Sequence, residues 1–192
     1  MDIFPPISRE RRGKIQLILG PMFSGKTSEL CRRYRRNVIA GLRCLLIKYN
    51  GDVRYSTGHV TTHDRISIPA CSCSALFTLP INPVDYDTVF IDEIQFYPDK
   101  YEFCETMAQA GVDVVACGLS SNWERKPFPD MGLLQAVAFS IETLLAVCGM
   151  CKKEEACFNL RLSDETNEIV IGGSDKYRAV CRNCYFCDKV GK

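Results

Sequence analysis

The residues with the clearest chemical meaning run from Gly20 to Thr27 and read Gly-Pro-Met-Phe-Ser-Gly-Lys-Thr. They match the phosphate-binding pattern GxxxxGK(S/T), in which backbone N–H groups of a glycine-containing loop surround the phosphates of a nucleotide. Lys26 would bring its ammonium to the β- and γ-phosphates, and the Thr27 hydroxyl would bind Mg²⁺. The nucleotide-binding residues predicted from this loop are Gly20, Pro21, Met22, Phe23, Ser24, Gly25, Lys26 and Thr27. The pattern predicts a protein that binds a nucleoside triphosphate.

A pair of carboxylates, Asp92 and Glu93, follows the apolar run 89–91. Neighbouring residues at a strand end point in different directions, so the two acids can do different work. Asp92 is the candidate to hold Mg²⁺ together with Thr27, and Glu93 is the candidate general base. If Glu93 deprotonates water the protein is an ATPase, and if it deprotonates a substrate hydroxyl the protein is a kinase.

Twelve cysteines are present, and some of them form CxxC pairs. Cys148 and Cys151 form one pair and Cys181 and Cys184 another, and two such pairs complete a four-cysteine structural zinc site. Cys184 and Cys187 have the same spacing, so the last two ligands stay open on spacing alone. A redox dithiol is the competing interpretation, disfavoured because neither pair is predicted to open a helix within a βαβ unit.

The elements that must position these residues alternate between strand and helix from residue 14 onward. Apolar runs that alternate with helices predict an α/β fold, with a mostly parallel sheet covered by helices on both faces. Ligands of such sheets bind at the carboxyl ends of the strands, where both the phosphate loop and Asp92 fall. The predicted strands are 15–19, 43–48, 87–92 and 112–117, the helices 26–40 and 99–110, and the loops 49–65 and 120–131, with a short helix and a final strand near 142–147.

Composition divides the chain into a flexible leader at 1–13, an ATP-binding domain at 14–147 and a cysteine-rich module at 148–192. Of 192 residues, 46% are hydrophobic and 24% charged, and the net charge is +1, so no global field favours nucleic acid as a partner. No apolar run reaches membrane-spanning length and the start lacks a signal-peptide core. We therefore expect a cytoplasmic protein, with thiols rather than disulfides.

The combination of phosphate loop, Asp-Glu strand end and four-cysteine module resembles the type II (cellular and vaccinia-like) thymidine kinases over nearly all of residues 14–187. The segments that carry the resemblance are Gly20–Thr27, Asp52–Tyr55, Thr62–Arg65, Asp92–Phe96, Arg125–Phe128 and Ile171–Tyr177. The resemblance implies a RecA-like core and transfer of the γ-phosphoryl group of ATP to the 5′-hydroxyl of thymidine, and of deoxyuridine as well. It also implies Mg²⁺, structural zinc, a homodimer or homotetramer, and inhibition by thymidine triphosphate.

Site roles follow from the resemblance position by position. Glu93 matches the catalytic base, Asp92 the metal-associated acid, and Arg54 an arginine that approaches the transferring phosphate, with Lys26 as a further catalytic cation. The residues predicted to contact the nucleoside are Met22, Phe96, Leu119, Trp123, Phe128, Val170, Ile171, Gly172 and Tyr177. Residues 159–177 correspond to a loop that closes over the base. The zinc ligands of the family align with Cys148, Cys151, Cys181 and Cys184, leaving Cys187 as a spare thiol or alternative ligand.

The segment Leu119–Trp123 departs from the family pattern Leu-Asp-Gly-Thr-Phe. Trp123 keeps an aromatic surface but adds bulk, so base selectivity or affinity is expected to differ, and Ser120 stands where many members carry an acid.

Two other functions remain as alternatives. A zinc-bearing ATPase or nucleic-acid-binding protein with a RecA-like core is disfavoured, because no basic stripe interleaved with aromatics is present. A nucleotide monophosphate kinase is disfavoured because no arginine-rich lid follows Asp92.

Overall fold

A computed structural model describes residues 11–51, 58–61, 67–162, 173 and 175–190. The strands are β1 (Ile15–Gly20), β2 (Cys44–Tyr49), β3 (His59–Thr61), β4 (Ser67–Pro69), β5 (Cys71–Cys73), β6 (Thr88–Ile91), β7 (Asp113–Leu119), β8 (Ser140–Thr143), β9 (Ala146–Val147), β10 (Glu155–Ala156), β11 (Phe158–Arg161) and β12 (Tyr177–Val180). The helices are α1 (Lys26–Ile39), α2 (Lys100–Gln109), α3 (Met131–Ala136) and α4 (Arg182–Val190), with short 3₁₀ turns at Leu76–Thr78, Pro83–Asp85 and Ile94–Phe96. Within the described ranges, no helix is both long and apolar enough to cross a membrane.

Six strands form a central sheet in the order β5-β2-β6-β7-β1-β8. Every neighbouring pair in it is parallel. The predicted α/β fold with a mostly parallel sheet is confirmed. Parallel pairing brings the carboxyl ends of β1, β6 and β7 to one edge, and these three strands carry the phosphate loop, the acid pair and Leu119.

The two faces of the sheet are buried under different helices, as a doubly covered parallel sheet requires. Alternate residues of one strand point to opposite faces: Leu17 and Leu19 pack with α2 and α3, whereas Ile18 packs with α1. The first core includes Phe103 and Met131, and the second includes Leu30. Both faces of the sheet thus contribute to the hydrophobic core.

Two local predictions need correction. The segment 49–65, predicted as a long surface loop, contains β3, which pairs with β4 because Val60 and Ile68 are buried against the α1 side of the sheet. The final strand of the sheet is β8 at 140–143, and residues 146–147 form the separate strand β9. The edge strand β5, which contains Cys71 and Cys73, pairs with β2.

The cysteine-rich part has a small core of its own, built on the antiparallel hairpins β9–β10 and β11–β12 and on α4. Its buried members include Ala146, Leu160, Val180 and Tyr185. Helix α4 was not predicted, and it begins directly after Cys181. That cysteine pair therefore does open a helix, but the strands before it are antiparallel, so no βαβ unit is formed.

Candidate active site

The phosphate-binding loop connects β1 to α1, and two glycines shape it. Gly25 precedes α1 with φ 83° and ψ 13°, a left-handed conformation that a residue with a Cβ adopts at a cost. At Gly20 an added Cβ would lie 2.3 Å from the carbonyl oxygen of Leu144. The structure therefore explains why glycine is found at both positions of the pattern. The loop leads into the N-terminus of α1, the positive end of the helix dipole.

Lys26 and Phe23, two residues of this loop, differ in exposure. Lys26 is only 9% exposed, and its Nζ donates to the carbonyl oxygen of Pro21 at 2.6 Å. Phe23 is exposed and has a positive φ of 63°, which is uncommon for a residue other than glycine. Non-glycine residues in this conformation cluster at binding sites, where the surrounding structure holds them.

Asp92 lies at the carboxyl end of β6 and is buried beside the loop. Its Oδ1 accepts hydrogen bonds from Thr27 Oγ1 at 3.2 Å, from the backbone N–H of Glu93 at 3.1 Å and from Cys117 Sγ at 2.9 Å. Thr27 and Asp92, predicted as the magnesium ligands, are therefore in direct contact. Hydroxyl and carboxylate oxygens are ligands that suit Mg²⁺.

Cys117 was not among the predicted site residues, and its contact with Asp92 was not predicted. Burial and the neighbouring Asp92 charge raise the pKa of the Cys117 thiol well above its ordinary value. The thiol therefore stays protonated and can donate to the carboxylate.

Glu93 is oriented by a residue that sequence reasoning did not select. Its backbone is left-handed, with φ 55° and ψ 45°, just after the strand ends. Its Oε2 accepts from Gln95 Nε2 at 2.8 Å, and the Oε1 of Gln95 accepts from the backbone N–H of Leu119 at 3.1 Å. Gln95 is buried, and its two hydrogen bonds connect the candidate base to the end of β7. Only the fold shows this link, because Gln95 and Leu119 are 24 residues apart.

Several aromatic residues predicted for the nucleoside pocket lie in two groups. Phe96 lies in the 3₁₀ turn after Glu93, with its ring centroid 6.2 Å from that of the buried Phe128. In the other group the Arg161 guanidinium carbon lies 4.6 Å from the Trp123 ring centroid and 5.5 Å from that of Tyr177. Arg161 Nη2 also donates to the Tyr177 hydroxyl at 2.8 Å. Arg161 therefore connects Trp123 and Tyr177, two residues predicted to contact the nucleoside. This role of Arg161 was not predicted from the sequence.

The cysteine-rich module contacts the rest of the molecule at the same edge. The Tyr185 hydroxyl donates to the Trp123 carbonyl oxygen at 2.8 Å. The Arg125 guanidinium carbon lies 5.0 Å from the Tyr185 ring centroid and 4.7 Å from that of Phe186, within cation–π range. Asn159 Oδ1 accepts from the backbone N–H of Met22 at 2.8 Å. Helix α4 and β11 are thus attached to the candidate site.

The Sγ atoms of Cys148, Cys151, Cys181 and Cys184 all lie within 4.8 Å of one another. Sulfur atoms around a tetrahedral zinc are separated by about 3.8 Å, given a Zn–S bond of about 2.3 Å, so the cluster could hold zinc. Burial raises the pKa of the Cys148 thiol, but backbone N–H groups of Cys181, Cys151 and Met150 bring it down to about 6, which favours the thiolate that binds metal. Cys187 is exposed and lies outside this cluster.

A family model for thymidine kinase matches residues 13–185. This chain belongs to the thymidine kinase family. It is 46% identical over 184 residues to the cytosolic thymidine kinase of Homo sapiens, covering 96% of this chain and 78% of the human protein. It is 46% identical over 173 residues to the thymidine kinase of Vaccinia virus (strain Western Reserve), covering 90% of this chain and 97% of the viral protein. The thymidine kinase of Raccoon poxvirus matches at the same identity and with the same coverage.

Family membership confirms the resemblance found in the sequence and does not favour the ATPase alternative. Several predicted site residues lie outside the described residues: Arg54, Val170, Ile171 and Gly172, with the segments 52–55 and 62–65. The described loop, acid pair, Phe96, Leu119, Trp123 and Tyr177 come from elements that contact one another around the carboxyl edge of the sheet.

Proposed function

We propose that this protein transfers the γ-phosphoryl group of ATP to the 5′-hydroxyl of thymidine. The observation that carries the proposal is the meeting of Thr27, Asp92 and Glu93 beside a phosphate-binding loop in a chain of the thymidine kinase family. A site with a phosphate loop and a fixed carboxylate base suits transfer to an alcohol, because the hydroxyl proton needs an acceptor.

The chemistry is divided among the protein's own groups. The loop N–H groups and Lys26 bind the phosphates and neutralise their charge, and we propose that Arg54 adds a second cation. Gln95 holds the Glu93 carboxylate through the 2.8 Å hydrogen bond, so the base is positioned before substrate binds. Thr27 and Asp92 would hold Mg²⁺, which neutralises charge on the phosphate oxygens when bound.

We propose that the nucleoside lies between the Phe96 and Trp123 regions and is covered by Tyr177. Aromatic side chains can stack on any nucleobase. The contacts of Arg161 with Trp123 and Tyr177 hold two of these rings in place. Val170, Ile171 and Gly172 stay predicted contacts. Acceptance of deoxyuridine and inhibition by thymidine triphosphate are further proposals from the resemblance.

We propose that the four-cysteine cluster binds zinc with a structural role. All four positions of a tetrahedral site are supplied by protein, which is the arrangement of closed structural zinc sites. The metal would join the turn after β9 to the start of α4 and so support the contact between Tyr185 and Trp123. We place the module boundary at Ala146, where β9 begins, two residues before the predicted start at Cys148.

We also propose a cytoplasmic homo-oligomer. Cysteine content supports a reducing compartment, and the edge strand β8 supports self-association. Ile141 on β8 is 46% exposed and Phe139 just before it is 65% exposed. An exposed apolar edge strand can pair with a second copy about a two-fold axis. Sedimentation of Ile141→Glu should show a smaller species than the unaltered protein; equal masses would exclude this edge as the contact.

The activity is tested by measuring ADP formation from ATP with a panel of nucleosides, with DNA and with no acceptor. We expect ADP to form with thymidine and much more slowly without a nucleoside, because a closed site keeps water from the γ-phosphate. Lys26→Ala is the control for contaminating enzymes. A rate of ADP formation that does not change when a nucleoside is added, or that rises with DNA, would contradict the proposal and favour an ATPase.

A further inference from the structure

Asn159 is a buried amide on β11 that touches the phosphate-binding loop. It is 4% exposed, and its Oδ1 accepts the backbone N–H of Met22 at 2.8 Å across 137 residues of sequence. A buried polar side chain is costly unless it is hydrogen-bonded, so this bond fixes Asn159 and Met22 relative to each other. It is a contact between the loop that binds ATP and the hairpin β11–β12.

The same hairpin carries the residues proposed to cover the nucleoside. Asn159 and Arg161 are two residues apart on β11 and so point to the same face of the strand. Arg161 pairs with Tyr177 across the hairpin, donates to its hydroxyl and stacks on Trp123. One face of β11 therefore contacts the phosphate loop at one position and the nucleoside-covering aromatics at the next.

The contact is made to a part of the loop whose conformation needs support. Met22 precedes Phe23, whose positive φ of 63° is unfavourable for a non-glycine residue. In phosphate-binding loops the backbone N–H groups form the ligand site, and here one of them is held by a side chain of a distant hairpin. A displacement of the hairpin would therefore act on the loop at Met22, next to this unfavourable conformation.

We propose that Asn159 is a positioning residue that couples nucleoside binding to ATP binding. The coupling rests on the proposed function, because the nucleoside is taken to order Tyr177 and Arg161 on the same strand. When the nucleoside fixes the hairpin, Asn159 fixes the Met22 N–H, and the loop is then preorganised for phosphate. Because coupling between two binding sites is reciprocal, ATP tightens nucleoside binding by the same factor.

The test measures the affinity of a non-hydrolysable ATP analogue by calorimetry, with and without saturating thymidine. We expect thymidine to tighten the analogue in the unaltered protein by a factor of at least five, within the usual range of coupling. Asn159→Ala and the similarly sized Asn159→Leu both remove the acceptor oxygen, and both should bring this factor close to one. Either folded variant with the unaltered factor would overturn the proposal, as would a factor of one in the unaltered protein.

Two further variants separate positioning from a general structural effect. Asn159→Asp keeps the acceptor but adds a negative charge near the phosphates, so the analogue should bind more weakly while the coupling factor is retained. Asn37→Ala removes an amide that donates to Thr88 Oγ1 at 3.0 Å, a contact made outside the phosphate loop, and should leave the factor unchanged. Loss of coupling in Asn37→Ala would show that any lost amide contact suffices and would overturn the specific role.

The proposed function can fail separately. If the unaltered protein forms no ADP in response to thymidine, the kinase proposal fails. If it is active but Asn159→Leu keeps full coupling, only the role of Asn159 fails.

Discussion

At the scale of single residues, the candidate base and the candidate metal ligand are adjacent in sequence but are fixed by different neighbours. Asp92 is held by Thr27 and Cys117, whereas Glu93 is held by Gln95. The left-handed backbone at Glu93 turns the chain at the strand end. The identities of both acids could be predicted from sequence, but the residues that orient them could not.

Glu93→Gln should lower kcat with thymidine by a factor of about 10² to 10⁴, because an amide cannot accept the hydroxyl proton. The amide can still hydrogen-bond, so ATP binding should change little. Steady-state kinetics and calorimetry measure the two effects, and Glu102→Gln on the surface of α2 is the matched control. A kcat close to that of the unaltered protein would remove Glu93 from the role of base.

Glu29 allows a prediction about stability and pH. Hydrogen bonds from Arg32 and, against the opposing effect of burial, from Arg33 bring the pKa of Glu29 from 4.5 to about 2. A carboxyl group with a lowered pKa stabilises the folded state above its unfolded pKa and loses that contribution as the pH falls toward its folded pKa. Glu29→Gln should therefore cost up to about 1 kcal/mol at pH 7, since the pair is partly exposed.

Urea unfolding of both proteins at several pH values measures this effect. The difference between Glu29→Gln and the unaltered protein should shrink as the pH falls from 4.5 toward 2. A difference that stays constant through this range would show that the arginine contacts do not stabilise the fold.

At the scale of elements, helix α1 begins after the left-handed Gly25, and its position is set by packing against the sheet. The strand–loop–helix order could be predicted because the pattern and its apolar flanks are contiguous. Helix α4 and the short strands β3 and β5 could not, since each is short and is stabilised by contacts with distant elements.

Gly25→Ala and Gly132→Ala should have opposite effects on stability. Gly25 has φ 83°, so alanine there should destabilise the protein by about 1–2 kcal/mol and weaken ATP binding. Gly132 lies inside α3, where an added Cβ would meet no atom within 4 Å, so alanine should stabilise by up to about 1 kcal/mol. Thermal unfolding and binding of an ATP analogue test the pair. An equal change in thermal stability in the two variants would show that the left-handed backbone at Gly25 does not require glycine.

At the scale of the whole molecule, a module with its own small core contacts the carboxyl edge of a parallel sheet. Tyr185 on α4 holds the Trp123 carbonyl, and Asn159 on β11 holds the loop at Met22. The proposed zinc site lies between the turn after β9 and the start of α4, so metal binding is proposed to support the contact of α4 with Trp123.

Cys148→Ser should lose zinc and raise the KM for thymidine, because α4 would no longer be fixed beside Trp123. Cys187→Ser, which changes an exposed cysteine on the same helix, should keep both zinc and KM. Metal analysis and thymidine kinetics measure the two properties. Zinc loss in Cys187→Ser, or full zinc in Cys148→Ser, would contradict the proposed ligand set.

The sequence by itself determined the phosphate loop, the acid pair and the presence of paired cysteines, because each is a short pattern whose chemistry depends on neighbouring residues. Only the tertiary structure decided which residues orient them: Gln95 on Glu93, Cys117 on Asp92 and Asn159 on Met22. It also separated Cys187 from the cluster formed by the other pairs. These contacts depend on how the sheet, its helices and the hairpins pack, and packing brings together residues that sequence spacing leaves unrelated.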